Sequence, residues 1–164
     1  MRQMAMLVTV GAAFAVTAAT AEAQLPKKGA YSAHFGYHTV AKASEIDKDH
    51  FFATGETIGT IFNDTGRGFL HAAAVVCPLA NDRVKGVSNA HGYCTATDAE
   101  GDKAFMVWKC RSPQPGARCE GDFQWTGGTG KFTGLTGNNT FNGGNVPKTV
   151  SGYAVWKGEW QLPD

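Results

Sequence analysis

Glu56, Thr60 and His71 are the residues whose types and spacing best fit proton-transfer chemistry. Folding the chain about Thr65-Gly66 sets Phe62 beside Phe69, Thr60 beside His71 and Glu56 beside Val75. Side chains alternate along a strand, so one face of this hairpin collects Thr54, Glu56, Ile58, Thr60, Phe62, Phe69, His71, Ala73, Val75 and Cys77. Facing an enclosed space, it would place a carboxylate and an imidazole among apolar side chains. Burial raises the pKa of the first and lowers that of the second, which brings both toward neutrality and suits them to general acid–base catalysis. Facing solvent, or bonded to each other as a structural contact, the same pair does no chemistry. Glu56 and His71 are therefore the candidate catalytic residues, with Thr60, Phe62 and Trp108 as candidate ligand contacts.

The other reactive-looking groups read as structural. His34 and His38 share a strand face but stand about 13 Å apart at a rise of roughly 3.3 Å per residue, too far for one metal on a straight strand. Asp98, Glu100 and Asp102 alternate within a turn, without the twelve-residue loop and terminal Glu of a calcium-binding hand. Gly130-Lys131 lies in a glycine-rich segment, but Trp125 replaces the first Gly of a phosphate loop and Phe132 follows the Lys. No Cys-x-x-Cys or Cys-x-x-His pair is present; His91 precedes Cys94 by three residues, which alone does not make a four-ligand zinc site. No Ser sits in a Gly-x-Ser-x-Gly elbow. The expectation is no metal and no cofactor.

The elements that must position these residues are strands. Asn63-Asp64-Thr65-Gly66-Arg67-Gly68 supplies the side-chain-capped and positive-φ positions of a reversal within Phe51–Cys77. Both faces of that hairpin are largely apolar or small, so it is covered on both sides or lines an enclosed space. A second hairpin turns at Asp98–Asp102, between Tyr93–Thr97 and Lys103–Cys110, and Asp122–Trp125 returns as its neighbour. Gly127–Gly137 reads as a corner, and Tyr153–Leu162 as a long last strand bent at Gly158. With Tyr31–Val40 and a short strand near Thr140, about eight strands follow one another with turn signals between them. Eight strands can close into a single antiparallel barrel whose interior holds side chains or one small ligand, and closure hides the sheet edges.

Residues 1–23 have the form of a cleaved signal peptide: Arg2, an apolar run from Met4 to Val16, and Ala21-Glu22-Ala23 as a small-x-small cleavage site. The stretch is short for a membrane span. Residues 24–164 then form one barrel domain, periplasmic or secreted. Cys77, Cys94, Cys110 and Cys119 all lie beyond the leader, and an even count in an exported chain favours disulfides. Four cysteines allow three connectivities. Cys110 and Cys119 bracket the turn-rich Arg-Ser-Pro-Gln-Pro-Gly-Ala-Arg loop, which leaves Cys77 to pair with Cys94. A formal net charge of +1 with no basic cluster gives no electrostatic case for nucleic acid.

Trp125-Thr-Gly-Gly-Thr-Gly-Lys-Phe-Thr-Gly-Leu-Thr-Gly137 resembles a glycine-rich segment of the allene oxide cyclase and dirigent barrels, and the whole chain looks like small exported proteins of α-proteobacterial type. The resemblance implies an eight-stranded, calycin-like β-barrel. Fold does not fix function, and no cyclase active-site residue maps onto a position here. Two readings follow: a barrel that binds a small apolar ligand, or an isomerase or cyclase acting on a hydrophobic substrate through Glu56 or His71. A core filled by its own side chains would instead leave a structural or protein-interaction role.

Overall fold

The computed structural model describes residues 25–164; the proposed leader lies outside them. Eight strands run in chain order: β1 (Lys28–Asp47), β2 (His50–Asn63), β3 (Ala73–Val84), β4 (Val87–Thr97), β5 (Lys103–Ser112), β6 (Cys119–Gly128), β7 (Gly137–Asn145) and β8 (Ser151–Gln161). Each pairs antiparallel with its sequence neighbour, and β8 pairs with β1 to close the barrel. Closure leaves no unpaired edge. No helix among the described residues is long and apolar enough to cross a membrane.

The strands are longer than turn signals alone indicate. β1 continues past Val40 to Asp47, and the segment between Cys77 and Cys94 forms a hairpin reversing at Lys85-Gly86. Both glycine conformation and strand alternation support that turn, since Gly86 has φ +84°.

The β2–β3 register differs from the tight-turn expectation. Thr60 pairs with Ala74, three positions beyond His71, and Ile61 pairs with Ala73. An odd shift exchanges the two faces of β2. Thr57, Ile61 and Asn63 are buried inside, whereas Ile58 and Phe62 are exposed outside. The cause is the connection at 64–72, which folds back under the barrel instead of turning tightly. Asn63 organises it: its Oδ1 accepts from the Thr65 amide (3.1 Å) and hydroxyl (2.8 Å), and its Nδ2 donates to the Phe69 carbonyl (3.2 Å). Leu70 and Ala72 adopt left-handed φ values of 51° and 59°, a cost offset by burying Phe69 and Leu70.

Those two side chains begin a plug that seals one end. Phe69 stacks on Trp160 with ring centroids 4.8 Å apart and meets Tyr31, Trp125 and Phe132 edge-on at 5.1, 5.5 and 5.9 Å. Phe132 and Leu135 come from the glycine-rich corner, whose centre is a single 3-10 turn at Gly130–Phe132. Burial holds the Tyr31 phenol well above its usual pKa, so it stays neutral within this layer. Above the plug, Phe35, Ile61, Val75, Met106, Phe123 and Trp156 fill the barrel's middle.

The corner is fastened by the acidic turn. Lys131 Nζ lies 2.7 Å from Asp98 Oδ2 and 2.5 Å from Glu100 Oε2, while the Lys131 amide donates to Asp102 Oδ2 at 3.0 Å. Asp98 Oδ1 accepts the Glu100 and Asp102 amides. Gly130 is left-handed (φ +52°), and a Cβ there would collide with the Asp102 carboxylate. The acidic alternation is thus occupied by a lysine of the chain itself. Burial would raise the Asp98 pKa, but the Lys131 hydrogen bond and charge outweigh it and hold the carboxyl below its usual value. Lys131→Met strands a carboxylate whose side chain is only 8 % exposed, and we expect a loss of about 1–3 kcal/mol at pH 7. A depressed carboxyl pKa stabilises the fold above the unfolded value and loses that contribution as pH falls through the folded one. Urea unfolding of both proteins should therefore show a constant gap down to the ordinary carboxylate range that closes below it; a gap that persists unchanged well below that range would contradict the latch.

Candidate ligand-binding site

The end opposite the plug is open. Inward positions on all eight strands, with the β5–β6 and β7–β8 loops, line a cavity of about 850 Å³. Its floor is Phe35, Met106, Phe123 and Trp156, and its walls include Tyr37, Thr57, Leu79, Asn81, Trp108 and Phe141. The aromatic lining is mutually braced: Phe123 meets Trp156 at 5.0 Å, Phe35 meets Trp156 at 5.3 Å and Tyr37 at 5.2 Å, and Trp108 meets Phe141 edge-on at 5.9 Å. Such a cavity falls within the size range of small-molecule sites.

Polar side chains share the wall with the aromatic ones, among them Thr39, Thr57, Asn81, Ser88, Ser112 and Asn145. Thr39 and Thr57 hydroxyls bond each other at 2.8 Å. Burial raises the Tyr37 pKa, which keeps its phenol neutral. The Trp108 Nε1–H and Asn81 Oδ1 are buried and find no hydrogen-bond partner among the described residues. Together they offer one donor and one acceptor where an unmet hydrogen bond is costly.

Both disulfides belong to this wall. Cys77 pairs with Cys94 and Cys110 with Cys119, at Cα separations of 4.1 and 5.5 Å, and all four residues line the cavity. This is the connectivity that loop spacing indicates. The β3–β4 pairing passes from Val76–Thr95 to Leu79–Gly92, and the first disulfide closes the interval where Pro78 has no N–H to give.

Of the five residues singled out as catalytic or ligand-contacting, Trp108 alone lines the cavity. The exchanged register puts Glu56, Thr60 and Phe62 on the outer wall, with Glu56 across from Val40 and Pro78. His71 sits in the β2–β3 connection with its ring edge-on to the exposed Phe62 at 5.8 Å. The expected meeting of Glu56 and His71 inside the barrel does not occur, because it needed the pairing of Thr60 with His71. Sequence reasoning missed Tyr37, Thr57, Asn81 and Phe141; the alternation that assigned Glu56 to one face also assigned Thr57 to the other, and register alone decides between them.

The histidines show no shared ligand set. His34 Nδ1 lies 2.6 Å from Asp64 Oδ1, and His50 Nε2 lies 2.7 Å from Asp82 Oδ1. Hydrogen bonds from Ser32 and His34 hold the exposed Asp64 carboxyl below its usual pKa. Among the described residues no three His, Cys, Asp or Glu side chains are grouped to hold a metal. Asn63, which begins a glycosylation-type triplet, has its carboxamide buried and bonded.

Fold and site together define a small antiparallel barrel, plugged at one end and open at the other. No family model, curated protein or solved structure matches the chain.

Proposed function

We propose that this protein is an exported binding protein that holds one small, mostly apolar molecule in the open half of its barrel. The single observation that carries the reading is the cavity of about 850 Å³, walled by aromatic side chains above a sealed base. No carboxylate or imidazole lines it, so binding is favoured over an isomerase or cyclase that works by proton transfer. The likeness of Trp125–Gly137 to the allene oxide cyclase and dirigent segment supports the barrel and adds no chemistry. Two disulfides among the described residues, with no free cysteine, fit an oxidising compartment and an exported chain.

The neutral dye N-phenylnaphthylamine tests the reading, since its emission rises in apolar surroundings. The wild type should bind it once per chain, and Leu79→Trp with Ala90→Trp, which fills the cavity from two neighbouring strands of one wall, should weaken binding by about tenfold or more. Absence of binding, or binding indifferent to the filled cavity, would overturn the proposal.

A further inference from the structure

We infer that the ligand is an organic anion, its apolar body in the barrel and its acidic group at the rim against Arg118 and Lys148. This inference rests on the binding reading and specifies the ligand's charge. Among all residues lining the cavity, the charged ones are Arg118 and Lys148, and no Asp or Glu lines it. Both lie in connections at the open end, Arg118 just before β6 and Lys148 between β7 and β8. Neither forms an ion pair with a carboxylate of the described residues, whereas Lys109 and Lys131 do.

Arg118 is also held in place. Its Nη1 donates to Asn142 Oδ1 at 2.9 Å, its Nη2 donates to the Tyr153 hydroxyl, and the guanidinium lies 4.9 Å above the Tyr153 ring. Five donors are available to a guanidinium; these two bonds fix its plane against Asn142 and Tyr153, which occupy outward positions of β7 and β8. It therefore sits on the outer lip of the mouth, with its other N–H groups open to an oxyanion that projects over the rim. Glu120 stands behind Asn142, accepting from its Nδ2 at 3.3 Å, and does not line the cavity. The site is therefore graded: aromatic at depth, neutral and polar midway, cationic at the rim. An anionic amphiphile satisfies all three levels, while a neutral ligand leaves the rim unused and a cation is repelled by it.

Anilinonaphthalene sulfonate and N-phenylnaphthylamine share one ring system and differ by the sulfonate, which isolates the charge. In the Arg118→Gln, Lys148→Gln protein at low salt, affinity for the sulfonate should fall about five- to tenfold while the neutral dye is unaffected. Added salt should weaken the sulfonate on the wild type toward the variant's value. Lys148→Gln alone, which leaves the Arg118 contacts intact, should give part of the loss. If the sulfonate binds wild type and variants equally, or if both dyes weaken equally, the anion assignment is overturned while the binding reading stands. Failure of the wild type to bind the neutral dye would instead remove the binding reading beneath it.

Discussion

Phe69→Ala should cost about 3–5 kcal/mol, the range for deleting a large buried aromatic side chain. Phe69 is 5 % exposed and is the one ring in the plug that touches Tyr31, Trp125, Phe132 and Trp160 together. Its neighbours cannot collapse into the gap, because they descend from separate elements: β1, β6, β8 and the 3-10 turn. The stacked Trp160 loses its face partner, adding to the loss beyond buried area. Single domains hold only about 5–15 kcal/mol in total, so the variant should unfold at markedly lower urea concentration with an unchanged slope. A loss below about 1 kcal/mol would show that the plug does not hold the closed end.

Removal of the Cys77–Cys94 bridge should be the next largest effect. With the cysteines seventeen positions apart, loop-closure entropy puts the stabilisation at about 3 kcal/mol, and the separation of nine positions at Cys110–Cys119 puts that bridge slightly lower. The first bridge also spans the interval at Pro78, where β3 offers β4 no amide. Cys77→Ala with Cys94→Ala should therefore destabilise more than Cys110→Ala with Cys119→Ala in urea unfolding at equal pH. The reverse order would show that the Cys110–Cys119 loop, not the β3–β4 seam, is the weak part of the wall.

The architecture was readable from sequence because each strand carries its own signals. Alternation in Tyr31–Val40, the Asp98–Asp102 turn and the run Ala104–Trp108 all survive in the structure, as does the disulfide connectivity. The candidate site was not readable, for a specific reason. The chain from Phe51 to Cys77 is apolar or small on both faces, so its pattern does not state which face is inside. Only the path of the 64–72 connection decides, and that path is set by Phe69 and Leu70 entering a plug completed by Phe132, Leu135 and Trp160, far away in sequence. The same long-range dependence hid Arg118 and Lys148, whose meaning comes from the rim they share. Lys131 illustrates the converse: an apparent phosphate-loop lysine and an apparent calcium turn are each explained by the other.

A crystal structure of the protein with N-phenylnaphthylamine bound would show directly whether the barrel holds a ligand. Density for one dye is expected inside the barrel, above Phe123 and Trp156 and between Trp108 and Phe141. Density confined to the outer wall around Phe62, Val76 and Tyr93, with the barrel interior free of dye, would contradict the binding proposal.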